Sequence, residues 1–554
     1  MLFFLVFVYF FHPIPLQGTN VDLGHHLLLG KITVEQGYVP QTNLISFTHP
    51  EYVFVNNQWL SEVVFYFTHQ SFGFNGLILL SVLLMIGTFA FLLSVSKQKI
   101  IASIVGIFLL QIFIDRTEVK PELFSYFLTA LLLFILYRYR EKFTKLIFLL
   151  PLLMVLWINF HIFFIVGMAV IGLFYLQTLF NKKERFKKKS NILLGVLVAS
   201  TFATLLNPNF IRGFIYPFHV LTNYGFDVIE NYNIIWAISK GYFDITFIYF
   251  FIVFIFLWAS TALHFKKLSK VDIFLSFLFT FLAFFAVRNF TMFAIGVFIP
   301  TVNVTLLWLV TIDKKFKKSA HELKYILSII IILLAVPGIL VKLSIHGVGR
   351  GVVDKADDAI KFIKTNALSG PIYNNYNIGN YLEYRLYPKE RVFVDGNPEQ
   401  YPQEFFKNIY YPMENSFQEF EKYSKRYGIN VVIYEHKNQT SITNPLLVGL
   451  TNSTDWKMVY LNELLVIYVR NVPQNSQALS HQITEESIQI TKSELTDKDK
   501  IADLSNFFRI IKWYKPMVAM DLAYLDLDPR SCISLRHVST FIPAYIQQYQ
   551  LYCK

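Results

Sequence analysis

The stretch VDLGHHLLLGKITVEQGYVPQTNLISFTHPEYVFVNNQWLSEVVFYF (residues 21–67) is a polar, aromatic connection between two apolar segments, and its reading decides the architecture. Asp22 follows directly on the first apolar segment, and His25, His26 and Lys31 fall where one short helix groups polar side chains. Leu23, Leu27 and Leu28 lie among them, which predicts an amphipathic helix at a membrane surface, apolar side in lipid and polar side turned outward. A second helical piece is predicted over 59–72, where Trp59, Val63 and Tyr66 recur at helical spacing with Glu62 beside them. Gly37, Pro40 and Pro50 interrupt the chain between the two.

Of 554 residues 54% are hydrophobic, 57 of them Phe, a composition that excludes an ordinary soluble enzyme and indicates a polytopic membrane protein. Eleven membrane segments are expected, near 2–16, 74–95, 100–114, 122–137, 146–158, 162–180, 191–206, 246–263, 271–287, 290–311 and 325–343. Several fall short of the ~20 residues a spanning helix needs. The first lacks a basic leader and an A-x-A site, which favours a retained helix over a cleaved signal. The connections at 96–99, 138–145, 181–190, 264–270 and 313–324 hold 20 Lys and Arg against 4 acids, although the whole chain carries only +12. Positive charge in alternate short loops places those loops in the cytoplasm and leaves the 21–67 loop, the 115–121 turn, the 207–245 loop and the C-terminal part outside. Spread over five loops, the basic residues form no single face for nucleic acid.

Beyond 344 the pattern changes to short strand-like runs alternating with amphipathic stretches: GPIYNNY, ERVFVDG, NVVIYE, WKMVYL and LLVIYV, the last two joined by a tight Asn462-Glu463 turn. The expected fold class is therefore mainly α. A transmembrane helical bundle occupies 1–343 with its first outer loop at 18–73, and an extracytoplasmic α/β domain with a partly parallel sheet follows at 344–470. A polar linker covers 471–495, and 496–554 resembles one tetratricopeptide-type helical hairpin, which needs a neighbour or a protein partner to cover its face. Cys532 and Cys553 are too few for a disulfide framework or a four-Cys zinc site.

Five ionisable residues, Asp115, Arg116, Glu118, Lys120 and Glu122, crowd into DRTEVKPE at a membrane boundary, where charge is costly unless paired or wet; a solvated turn is the plainer reading. Asn159 and His161, and Arg288 with Asn289, sit between apolar runs, where a helix cap and a ligand contact are equally good readings; an arginine at membrane depth suits a phosphate. His25, His26 and His49 suggest zinc at first sight. Adjacent histidines point in different directions, however, and no local carboxylate completes a standard spacing.

Taken in order, VDLGHHLLLGKI, YVPQTNLISFT, QWLSEVVFY, KPELFSY, LWINFHIFFIVGMAVIGL, ATLLNPNF, RNFTMFAI, IYNNYNIGNYL and VFVDGN resemble the bacterial GT-C-type membrane glycosyltransferases and their uncharacterised relatives, over about residues 20–470. The resemblance implies an outer loop of two surface helices and sugar transfer from a polyprenyl-phosphate donor on the exported face of a bacterial plasma membrane. It implies an early acidic base, which maps onto Asp22, and a second acid in the next outer loop, Asp115 or Glu118. His25 stands where the closest relatives usually carry an aromatic residue.

That chemistry suits the residues. Asp22 can take the proton of an acceptor hydroxyl as it attacks the anomeric carbon, and Arg116, Lys120 or Arg288 can offset charge on the leaving phosphate. His26, Lys31, Trp59, Glu62 and His161 complete the expected substrate-binding set. The acceptor is left open among glycan, protein and lipid, and divalent-metal dependence is open too. A transporter and a non-catalytic assembly scaffold are the readings from other classes; few charges in the central helices speak against the first. The charge asymmetry predicts that reporter fusions after 97, 185 and 316 read cytoplasmic and those after 225 and 400 read exported. A cytoplasmic signal at 400 would break the scheme.

Overall fold

A computed structural model describes the chain except residues 18–21, 181–183, 220–224, 227, 317–319, 438–443, 489–495 and 554. Two compact units result, one of Met1–Pro15, His26–Gln41 and Val55–Val353, the other of Leu16–His25, Thr42–Phe54 and Asp354–Lys554. The main division falls after Val353. Two pieces of the first outer loop, however, count with the C-terminal unit.

The two helices expected in that loop are α1 (Leu23–Gln36) and the start of α2 (Trp59–Val95). Gly73, at φ +62, interrupts α2 where the surface piece was expected to meet the membrane segment, a backbone conformation glycine adopts without the Cβ penalty. The surface-helix expectation needs correction for α1. Residues 23–30 are all buried, so its first two turns are enclosed by protein and only Lys31 and 34–36 stay exposed. Gly30 explains part of this: a Cβ there would lie 2.2 Å from the Glu62 carbonyl oxygen, so its absence lets α1 press backbone to backbone on α2.

Four helices of the first unit are long and apolar enough to cross a bilayer: α2, α3 (Glu122–Glu141), Ile245–His264 and Ile329–His346. Val287–Gly296 and Phe298–Ile312, bent by 56°, make a fifth if they form one span, and Lys99–Phe113, Lys145–Phe160 and Phe164–Leu179 are shorter apolar helices. The protein is thus a multi-pass membrane protein. Among the described residues, helices of spanning length do not number eleven. The segment expected at 2–16 forms only the 9-residue helix Leu2–Phe10, about 14 Å at 1.5 Å per residue against a hydrocarbon core of ~30 Å. The bundle core is apolar and aromatic, with Phe89, Trp157 and Phe250 fully buried.

The second unit carries a four-stranded sheet of β1 (Ile372–Asn374), β2 (Val431–Glu435), β3 (Trp456–Leu461) and β4 (Leu465–Arg470), in the order β1-β2-β4-β3. β1 and β2 are parallel, with Ile372 opposite Val431, and the other pairings are antiparallel. This is the partly parallel sheet closed by a hairpin that the sequence predicts. ERVFVDG departs from expectation: it forms no strand and makes a single bridge, Val392 to Ser46 of the first outer loop. Between β1 and that segment lies α4 (Gly379–Leu386). The expected linker begins with the short helix Ser476–Leu479, and Ile483 N–H donates to the Met458 carbonyl of β3. The tail is larger than one hairpin: Lys498–Ile510 and Tyr514–Leu527 are followed by Cys532–Phe541 and Ile546–Cys553, and a Cys532–Cys553 disulfide ties the last two together.

The close approach at Gly30 predicts that Gly30→Ala lowers stability by ~1–3 kcal/mol, because the atom it meets is backbone and cannot turn away. Gly172→Ala, in Phe164–Leu179 with open space around it, should raise stability by up to ~1 kcal/mol through helix propensity. Thermal unfolding of the purified protein in detergent checks both signs.

Candidate functional site

In the first unit Pro121 fixes the backbone just before α3, which puts Glu122 in the first turn, where the helix dipole favours an anion. Arg288 Nη2 donates to its Oε1 at 2.7 Å and the Tyr126 hydroxyl to its Oε2 at 3.0 Å, while Arg116 Nη1 lies 3.9 Å from Oε2. Arg116 also donates to Glu230, and Arg288 Nη1 donates to Asn231 Oδ1 at 2.8 Å. Burial acts to raise Glu230, but Arg116 and then Arg288 override it and hold the carboxyl at about 2. Lys120 Nζ lies 3.2 Å from Glu118, and a small cleft of about 10 Å³ is lined by Arg116, Glu118, Lys120, Glu122, Leu123 and Tyr126. Leu123 and Tyr126 line it beside the paired charges. An anion entering there meets the Arg116 guanidinium, oriented by Glu230 and Glu122, and the Lys120 ammonium beside Glu118.

The remaining expected residues of this unit are spread more widely. Asp115 accepts from Thr246 Oγ1 at 2.6 Å, and His161 Nδ1 lies 3.0 Å from Ser125 Oγ, which also accepts from Trp157 Nε1 at 2.9 Å. Buried His26 makes a long 3.4 Å contact with buried Glu62, whose other oxygen accepts from Asn56 at 2.7 Å. Trp59 Nε1 donates to Asn159 Oδ1 at 2.7 Å. Lys31 is exposed, 3.9 Å from Glu35, and joins none of these groups.

The second unit gathers a different set. Asp22, just before α1 and partly exposed, accepts from Asn380 Nδ2 of α4 at 3.0 Å. His25 Nδ1 lies 2.5 Å from Glu383 Oε1, and its Nε2 lies 2.9 Å from the Gln400 side-chain amide. Asp395 accepts from Asn397 N–H at 2.8 Å and from the Tyr401 hydroxyl at 2.6 Å. Burial, and then the charge of Asp22, pushes the Glu383 carboxyl well above the usual carboxylate range. Burial and then Glu383 push Asp395 up to about 6. One ligating atom each of His25, Glu383 and Asp395 falls within 4.8 Å of the others, a set able to hold a metal ion.

Arg116, Lys120 and Glu118 thus share one cleft, with Arg288 reaching its Glu122 wall, whereas Lys31 stands apart. Asp22 belongs to the other unit's cluster. Glu122 belongs to the charged turn that the sequence marks without giving it a role of its own, whereas Glu230, Asn231 and Tyr126 in the first unit, and Asn380, Glu383, Asp395 and Gln400 in the second, are not named by the sequence reading. Glu122 carried a local signal, a carboxylate at the start of an apolar helix. Glu383 and Asp395 carried a weaker one, acids inside otherwise apolar runs of a folded domain, where burial demands a partner.

No protein-family model and no curated protein matches the chain in sequence. Solved structures do match its fold. The oligosaccharyltransferase AglB of the archaeon Archaeoglobus fulgidus, in complex with an inhibitory peptide and a dolichol-phosphate, superposes with a TM-score of 0.59 at 10% identity, covering 95% of this chain and 85% of that one. The apo form of the Archaeoglobus fulgidus oligosaccharyltransferase gives 0.54 at 10% identity over 92% and 82% of the two chains. The same organism's enzyme tethered to an acceptor peptide containing the NVT sequon gives 0.53 at 10% identity over 95% and 85%. At this identity the likeness is one of fold alone, the fold that these oligosaccharyltransferase structures share.

Proposed function

We propose that the protein is a glycosyltransferase of the bacterial plasma membrane that moves a sugar from a polyprenyl-phosphate donor to an acceptor on the exported face. The observation that carries this reading is the cleft of Arg116, Lys120 and Glu122, with Arg288 held on Glu122, in a fold whose solved example holds a dolichol-phosphate. A lipid-linked phosphate needs what this cleft offers: cationic donors at the edge of an apolar bundle, where a low dielectric strengthens their pull on the leaving group. The Cys532–Cys553 pair supports an exported C-terminal part, because disulfides persist in oxidising compartments.

In the step we propose, the acceptor hydroxyl gives its proton to the Asp22 carboxylate while its oxygen bonds to the anomeric carbon. The bond from that carbon to the phosphate oxygen breaks, and its electron pair leaves on the phosphate, whose charge cationic side chains offset. Attack from the opposite side inverts the centre. Asn380, bonded to Asp22 Oδ1, orients the base.

Transfer of labelled sugar from a panel of polyprenyl-phosphate donors, with protein reconstituted in lipid, tests the reading. Asp22→Asn should reduce transfer by about 10²- to 10⁴-fold at unchanged protein level, and Arg116→Ala should weaken donor binding. Full activity of Asp22→Asn would move the base to Asp115 or Glu118, and absence of transfer across the panel would favour the scaffold. The charge pairing makes a separate forecast for stability. Glu230 is held below its ordinary value near 4.5, so its contribution is fully present above that value and is lost as the pH falls towards 2. Unfolding followed from pH 6 to 2.5 should show a loss that is smaller in Glu230→Gln.

A further inference from the structure

The geometry points to a divalent transition-metal site in the second unit, ligated by His25, Glu383 and Asp395, that does not depend on the sugar-transfer reading. All three side chains are buried, at 1%, 0% and 0% exposure, and their ligating atoms lie within 4.8 Å of one another. The second observation is independent of that clustering. Glu383 Oε2 is buried and has no hydrogen-bond partner, although an orphaned carboxylate oxygen is among the costliest groups to bury. The charged group acting on Glu383 is Asp22, another acid, and those acting on Asp395 are Glu383 and His25. The first unit solves the same problem with guanidinium groups. Here a bound cation would supply the missing charge and take the orphaned oxygen.

The backbone is shaped for this convergence. A Cβ on Gly24, beside His25, would lie 2.6 Å from the Asn380 carbonyl oxygen; one on Gly379 would lie 2.3 Å from the Val394 carbonyl oxygen; one on Gly396 would lie 2.5 Å from Asn380 Nδ2. Three glycines therefore let α1, α4 and the 394–397 segment approach until a histidine and two carboxylates meet. Gln400 fits the outer shell of such a site: with its amide oxygen turned to Nε2 it accepts that N–H and leaves Nδ1 as the ligand, the arrangement usual for a metal-bound imidazole. Metal coordination would spread His25 Nδ1 and Glu383 Oε1 from 2.5 Å to roughly 3 Å, set by metal–ligand bonds near 2.1 Å. One imidazole and two carboxylates suit Zn²⁺ and then Mn²⁺, while Mg²⁺ prefers an all-oxygen octahedron and should bind most weakly.

The test uses the full chain in detergent, stripped with a chelator and then dialysed against Zn²⁺, Mn²⁺ or Mg²⁺ separately. Metal content is read by mass spectrometry, affinity by titration and Tm by thermal unfolding. One Zn²⁺ per chain with a raised Tm is expected. Glu383→Gln, which keeps the size of the side chain, should abolish that ion, and Gln400→Ala should weaken binding by about 10- to 100-fold at unchanged stoichiometry. Failure of the stripped protein to take up an ion overturns the site, as does Glu383→Gln binding like wild type. Mg²⁺ binding as tightly as Zn²⁺ would overturn the ligand assignment. If His25→Ala does not fold, the Glu383 and Gln400 variants decide the matter alone.

Discussion

Glu122 lies where an apolar helix begins, and its carboxylate is shared by Arg288, Tyr126 and Arg116. Charge at such a boundary is tolerable only when neutralised in place. The neighbouring contacts meet that requirement: Arg116 carries its second acid, Glu230, Arg288 is steadied by Asn231, and Lys120 faces Glu118. The residues that pair come from the 115–121 turn, the start of α3, the 229–231 turn and the 287–289 turn, so loops far apart in sequence are fixed to one another by their charges. An isolated ion pair in water would contribute little of this. Beside an apolar core the same pairs hold because each partner left alone would be a buried charge.

The second unit meets burial of charge differently. Asp22, Glu383 and Asp395 are all acids, and His25 is the basic side chain in direct contact with Glu383. Tyr401 and the Asn397 backbone stabilise Asp395, but Glu383 Oε2 is left without a donor. Close packing at Gly24, Gly379 and Gly396 holds the segments that bear these acids together, against electrostatic repulsion that would push them apart. A domain needing only stability would replace such a group with apolar side chains of similar volume at little or no cost. Its presence is an argument for function.

Much of the fold was legible because it rests on local pattern. The β-branched and aromatic run VVIYE is buried throughout as a strand, and LVIYVR pairs with WKMVYL across the Asn462-Glu463 turn. Gly73 marks where α2 breaks. What was not legible depends on partners far away in the chain. ERVFVDG has the composition of a strand, yet Val392 bridges only to Ser46, and Asn374 takes the Phe393 N–H at 2.9 Å. The charged turn at 115–122 was visible as a cluster, but Glu230 and Asn231, which complete it, lie more than 100 residues on and carry no motif. Lys31 shows the converse: a basic residue at a plausible helical position whose side chain simply faces outward beside Glu35.

The histidine pair in α1 carries the lesson furthest. Consecutive residues on a helix point about 100° apart, so His25 and His26 cannot share one metal, and on local spacing alone neither has a carboxylate partner. The same divergence lets each reach a separate acid. His25 meets Glu383, 358 residues away, and His26 meets Glu62, 36 residues away. Spacing rules read the chain in one dimension, so they are silent on a carboxylate delivered by a helix 358 residues away. The helix that carries both histidines is correspondingly buried, because each turned-in polar group needs protein, rather than lipid or water, on its own side. Asp22 lies just before this helix, so whatever sets the rotation of its first turn also bears on where the candidate base points.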